Sequence, residues 1–280
     1  TSADASYILR TPKFKARITG FYSKIMDATE ISFFYGEGIG SDIGGDQDTF
    51  VSEIVTGIDK QNMGAELGLE YQLTSTIKAT VAASYGQYIY SDNAKLQTND
   101  DNLAATGANS LTDFGTVYIK NYRQAGLPQT AASFGLEYRD PKFWWIGANI
   151  NYLGNNYLDF ANILRTDNFV TDNDGYAYAG ATQQSVSSLL KQEKFDSFAL
   201  LNLMGGKSWR ISKANRNTVG FFASVNNLLD VTYKTGGFEQ SRKATFPDLQ
   251  ADQANGTPAF GPKYFYGYGR TYFVNFYINF

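Results

Sequence analysis

Asp172 and Asp174 sit in the run Thr171-Asp-Asn-Asp-Gly175, an oxygen-rich cluster of the kind that can hold calcium. No Glu follows at the spacing of a helix-loop-helix calcium site, and Asp-Asn-Gly runs are also ordinary turn chemistry. Calcium is the one cofactor these residues suggest, with a plain turn as the competing reading. A second acidic stretch, 34–49, carries Glu37, Asp42, Asp46 and Asp48 with no Lys or Arg. Tyr157, Phe160, Tyr176 and Tyr178 share the stretch 155–194. Their rings could stack on a sugar or peptide ligand, or pack the loop against itself. Glu66 and Glu70 invite an acid–base reading. On a strand, however, residues four apart are about 13 Å from each other, too far to share a proton. They read as charge lining an interior. The chain has no His and no Cys. That removes the usual general base, the commonest zinc ligand and all thiol chemistry. An enzyme is not expected. A net charge of −3 gives no basic footprint for nucleic acid.

The elements that must position these residues alternate with a period of two. Met63, Ala65, Leu67, Leu69 and Tyr71 oppose Gly64, Glu66, Gly68, Glu70 and Gln72. After Thr74-Ser75 the pattern resumes as Ile77, Ala79, Val81, Ala83 and Tyr85, which reads as a tight hairpin. Nine strands are expected, at about 2–10, 13–33, 50–73, 76–91, 116–139, 142–154, 195–209, 217–233 and 267–280. Residues 183–192 place Val186, Leu189 and Leu190 at a spacing suited to a short helix. No run approaches the roughly 18 apolar residues of a membrane helix. Tyr and Phe are abundant, at 20 and 21, with half of each strand polar.

Short connections (Thr11-Pro12, Thr74-Ser75, Arg139 to Lys142, Arg210 to Arg216) alternate with long ones (about 34–49, 92–115, 155–194, 234–266). Short turns on one rim and long loops on the other characterise transmembrane barrels of the bacterial outer membrane. The fold class is therefore all-β, a transmembrane antiparallel β-barrel with short periplasmic turns, long extracellular loops and lipid as its outer partner. Phe143-Trp144-Trp145 beside a short turn suits an interfacial aromatic girdle. The last strand puts Phe276, Ile278 and Phe280 on one greasy face and ends on Phe280. With Phe280 at the periplasmic rim, an odd count of nine starts the chain in mid-wall. Residues 1–280 then read as the C-terminal part of a larger barrel.

The string Asn227-Leu228-Leu229-Asp230, followed by Tyr233 and one final strand ending in Phe, resembles the C-terminal end of TonB-dependent outer-membrane receptors. Leu229 stands where that family usually has Phe. Gly237–Arg242 and Phe260–Tyr264 resemble the subset of that family found in Bacteroidota. The resemblance implies a plugged barrel of about 22 strands that imports a nutrient: a siderophore, vitamin, glycan or peptide. It also implies a plug domain outside these 280 residues, an N-terminal contact with the TonB complex and, in glycan and peptide importers, a surface lipoprotein lid. Phe280 with Ile278 and Phe276 would carry the membrane-assembly signal. A non-transporting barrel serving a structural or secretion role is the competing function.

Overall fold

The computed structural model describes residues 1–36, 49–100, 104, 107, 109–172, 174–211, 217–240, 245–256, 258 and 261–280. The strands are β1 Ser2–Arg10, β2 Phe14–Gly36, β3 Thr49–Gln72, β4 Ile77–Tyr90, β5 Ala94–Asp100, β6 Leu111–Val117, β7 Thr130–Arg139, β8 Trp144–Gly154, β9 Phe198–Arg210, β10 Thr218–Asn226, β11 Lys234–Phe238, β12 Lys263–Tyr266 and β13 Thr271–Asn279. Among the described residues, two short α-helices, α1 Gln183–Leu189 and α2 Phe246–Ala254, lie in the long connections. Among the described residues no helix is long and apolar enough to cross a membrane.

One antiparallel wall runs β1-β2-β3-β4-β7-β8-β9-β10-β13. Its ladders are continuous through the lower wall. One cross-strand row is Tyr7-Ile18-Leu67-Ala83-Ala132-Tyr152-Ala199. The next row is Ser6-Thr19-Glu66-Ser84-Ala131-Leu153-Phe198. Because facing residues of a ladder share a face, the first row marks an outer apolar face and the second a more polar inner face.

The outer face has an aromatic belt near the short turns. Phe14 meets Tyr71 at 6.2 Å, Tyr138 meets Trp144 at 5.0 Å, and Trp209, Phe221 and Phe276 follow at 6.0 and 6.4 Å. Tyr22 and exposed Tyr85 mark a second level. Eight residues separate Phe14 from Tyr22, about 27 Å of strand. Tilted by about 40°, that spans roughly 20 Å, close to an apolar band of about 25 Å. Trp145 departs from the girdle expectation. It stands opposite Arg139 on the inner face and stacks on Phe222 at 5.9 Å.

Above the second belt the wall changes character. The β2–β3 ladder shifts register on both sides of Ala28, and Asp27 has φ 56° with its N–H on Asp59 Oδ1 at 3.0 Å. Such a bulge bends a strand and sharpens its twist. Beyond it, the far end of β3 pairs with β5 rather than β4.

Three sequence expectations need correction. The stretch 116–139 is not one strand. Only Thr130–Arg139 belongs to the wall, because Asn121 and Gly126 take φ of 71° and 72° and Pro128 has no N–H to give a ladder. The stretch 92–115 is not only a loop, since it holds the β5–β6 hairpin. The strand at 217–233 stops at Asn226, because Asn227 and Asp230 turn the chain with φ of 51° and 56°. Helix α1 lies within the expected 183–192, with Thr182 and Ser185 forming a capping box. The acidic run Glu37, Asp42, Asp46 and Asp48 and most of the turn 210–216 lie outside the described residues.

Candidate functional site

The buried apolar core lies above the wall, in the long connections. Val55, Ile58, Tyr90, Leu96, Val117 and Ile119 pack with Phe160, Ile163, Leu164, Phe169, Leu190 and Phe246. The strand residues come from the upper ends of β3 and β4 and from the β5–β6 hairpin. The remainder are Ile119, just past β6, and residues from 155–190 and from α2. The loops thus form a folded layer with its own core.

Arg165 clamps this layer. Its side chain is 1% exposed and forks onto Glu239, with Nη2 on Oε1 at 2.9 Å and Nη1 on Oε2. It also donates to the carbonyls of Ala161 at 3.2 Å and Leu190 at 3.1 Å, and lies over the rings of Tyr122 and Phe160 at 5.3 and 5.4 Å. Three separate connections, around 122, 160–190 and 239, are thereby pinned to one guanidinium. The pairing with Glu239 outweighs burial and holds the Arg165 pKa above its ordinary value. Burial chiefly, then the charges of Asp159 and Glu30, raise the Glu53 carboxyl, although Ser32 and Asn162 donate to its Oε2 at 2.8 and 3.2 Å. Burial likewise raises Asp159, with Glu30 and Glu239 adding to it. Burial and a bond to Glu193 push the Tyr264 hydroxyl up to about 12.

The four aromatic candidates occupy different settings. Phe160 is buried, edge-on to Tyr90 at 5.4 Å and Tyr122 at 4.9 Å. Tyr178 packs against the same core. Tyr176 is 73% exposed, and Tyr157 lines an open depression on the wall. Asp172 and Asp174 share one turn. Asp172 Oδ1 accepts the N–H of Asp174 at 3.0 Å and of Tyr176 at 2.8 Å. The turn therefore already uses this carboxylate oxygen twice, which is the Asx geometry of a tight turn.

The inner face carries a groove of about 530 Å³ lined by Arg17, Thr19, Glu66, Ser84, Ser133 and Asn151. Glu66 makes no ion pair among the described residues. Nearer the short turns an ionic ladder crosses four strands. Lys15 meets Glu70 at 2.8 Å, Lys78 lies 3.9 Å from Glu70 and 3.8 Å from Glu137, and Arg139 meets Glu137 at 2.7 Å. Glu66 and Glu70 share the inner face, yet only Glu70 belongs to this ladder. Sequence spacing showed the face; the alternating signs across neighbouring strands appear only with the register.

The string Asn227–Tyr233 ties the last strand to the one beside it. Buried Asn227 donates from Nδ2 to the carbonyls of Val231 at 2.8 Å and Tyr268 at 3.3 Å, and accepts the Val231 N–H at 2.9 Å. Its own N–H reaches Asn202 Oδ1 at 2.8 Å, and Asp230 Oδ1 takes the Arg270 N–H at 2.7 Å. Tyr233 stacks on Phe198 at 4.3 Å and covers Gly267, where an added Cβ would stand 2.0 Å from the ring. Leu228 donates its N–H to Leu201 O at 2.8 Å, while Leu229 points outward, exposed. Phe276, Ile278 and Phe280 lie at the outer edge of β13, with Phe280 95% exposed.

An antiparallel wall with an apolar, belted outside and a charged inside is the fold of an outer-membrane β-barrel. No family model and no curated protein sequence matches the chain. Among solved structures, the copper transporter OprC matches with a TM-score of 0.51 and 19% identity, over 98% of this chain and 30% of that one. The siderophore receptor PiuA from Acinetobacter baumannii matches at TM-score 0.46 and 14% identity, over 99% and 35%. The ferric yersiniabactin uptake receptor FyuA from Yersinia pestis matches at 0.46 and 12%, over 100% and 37%. The chain spans about a third of the length of these proteins.

Proposed function

We propose that these 280 residues form barrel wall and extracellular loops of a TonB-dependent outer-membrane transporter that imports a nutrient. The observation that carries this reading is the folded loop layer over a wall whose inner face is charged, with the Asn227–Tyr233 clamp joining the last two wall strands. A passive pore has no need of a cored cap over its mouth. The inner groove with unpaired Glu66 supports an internal plug as partner, and the Bacteroidota-like ending supports a surface lipoprotein lid. The chemical identity of the nutrient is left to experiment. Uptake of a ferric chelate, a corrinoid, an oligosaccharide and a peptide would be followed in cells with and without the full-length protein. One of them is expected to accumulate only with the protein, and a protonophore should abolish that accumulation. Protein-dependent accumulation that the protonophore leaves unchanged would overturn the reading.

A further inference from the structure

The first two wall strands bring cations to the inner face that the ionic ladder does not neutralise. The hydroxyls of Ser6 and Thr19 meet there at 2.9 Å, so Ile8 and Arg10 on β1 and Lys15 and Arg17 on β2 share that face by alternation. These four, with Gly68 and Thr80, line a groove of about 370 Å³ on the side of the short turns.

Arg10 stands directly opposite Lys15 in the ladder, a position where like charges repel. Lys15 is relieved by Glu70 at 2.8 Å. Arg10 pairs with no carboxylate among the described residues. Arg17 is fixed without being neutralised. Its Nε donates to Thr19 Oγ1 at 3.1 Å and its Nη2 to Ser6 Oγ at 3.2 Å, and it too has no carboxylate partner among the described residues. Thr19 is buried, so the hydroxyl that orients the guanidinium is itself held. The remaining N–H donors of Arg17 are left for another acceptor. The ladder joins Lys15, Lys78 and Arg139 to two carboxylates, and so carries one cation in excess before Arg10 and Arg17 are added. Glu66, one inner row above Arg17, pairs with neither arginine.

We infer that this groove docks an acidic segment of the same polypeptide, from the part of the protein outside residues 1–280, with one carboxylate on Arg10 and another on Arg17. Charge complementarity selects the occupant, since a fixed and unneutralised guanidinium matches a carboxylate bidentately. Spacing selects its form. Arg10 and Arg17 are diagonal neighbours across β1 and β2, about 7–8 Å apart at the backbone. Alternate residues on one face of an extended segment are about 7 Å apart, so Asp or Glu at two such positions meets both. The inference rests on the transport reading, which puts an internal plug against this wall.

The test is carbodiimide coupling of the full-length protein in detergent, read by peptide mass spectrometry. The reagent joins an amine to a carboxylate that touches it and leaves guanidinium groups alone. Wild type should give the Lys15–Glu70 link, which certifies the wall register. Arg10→Lys and Arg17→Lys each place an amine in the groove. Each should add a link to an Asp or Glu N-terminal to Thr1 that wild type lacks. Absence of that link from either variant, with the Lys15–Glu70 link and heat-modifiable gel mobility intact, would overturn the proposal. So would coupling of position 17 to Glu66 alone, which would mean that the wall neutralises itself. Protonophore-sensitive uptake without the link would sink this contact and leave the transport reading standing. The link together with protonophore-insensitive uptake would do the reverse.

Discussion

Asn227 shows how one side chain can hold an element end. It is 3% exposed, sits at φ 51° and satisfies two carbonyls and one N–H of neighbouring turns. Asn tolerates the left-handed region because its short amide can bond locally. Asn227→Ala leaves those buried partners unmet and strains the backbone, so it should cost about 2–4 kcal/mol. Asn227→Gly relieves only the backbone and should recover less than half of that loss. Urea unfolding in detergent would separate the two; equal losses would mean that hydrogen bonding alone sets the cost. Glu53 supports a pH prediction. Its carboxyl and that of Asp159 are raised, chiefly by burial. Their neutral forms therefore favour the folded loop layer. That contribution is complete below the ordinary carboxyl pKa, about 4, and is lost as pH rises through the raised values. Amides of the upper β2–β3 ladder should exchange more slowly at about pH 5 than at about pH 7, after correction for intrinsic rates. Glu53→Gln keeps an acceptor for Ser32 and Asn162 and should flatten that difference. An unchanged pH dependence in the variant would assign the effect elsewhere.

At the scale of elements, the wall tests its own face assignment. Leu67 and Glu66 are neighbours in β3, but Leu67 shares the outer row with Ile18 and Glu66 shares the inner row with Thr19. Leu67→Arg should cost about 2–4 kcal/mol at mid-depth, and Glu66→Gln much less. Comparable losses in folding titrations into lipid would reverse the two faces. This much was legible from alternation, because a strand between lipid and a polar interior writes its environment into every second residue. The register of β3 with β4 and of β7 with β8 needed little beyond the intervening turns. The β5–β6 hairpin was hidden for a physical reason. Its buried positions include Thr98 and Asp100 beside Ala94 and Leu96, so no apolar alternation marks it. The overlong strand at 116–139 had its warning in Gly126 and Pro128, which interrupt any ladder. Helix α2 was equally readable in retrospect, with Thr245 before it and Pro247 in its first turn. The site residues were less legible. Phe160 and Tyr176 look alike as aromatics in one loop, and only packing against Tyr90 and Tyr122 distinguishes them.

The whole molecule divides its stabilising forces by layer. In the wall, backbone ladders hold the strands and apolar side chains point outward, so the membrane takes the part that a core plays elsewhere. In the loop layer, apolar side chains turn inward and exclude water in the ordinary way. The layers meet where Val55, Ile58 and Tyr90, at the upper ends of β3 and β4, pack into the cap core, and the lower ladders take no part in that core. A lesion in the cap should therefore spare the wall. Arg165 is the sharpest place to test this, since its guanidinium joins Glu239, Leu190 and the Tyr122 ring across three connections. Arg165→Met leaves Glu239 without its partner and should destabilise the loop layer by about 3–5 kcal/mol. Adding Glu239→Leu removes the stranded charge and should restore part of that loss, because a buried pair replaced on both sides by apolar groups is often near neutral. Limited proteolysis of the full-length protein in detergent reads the cap, and heat-modifiable gel mobility reads the wall. Arg165→Met should gain cleavage within 155–194 and 234–266 while its unheated mobility stays that of the folded barrel. The double variant should resist cleavage better than the single one. Loss of compact mobility in Arg165→Met would show instead that cap and wall fold as one cooperative unit.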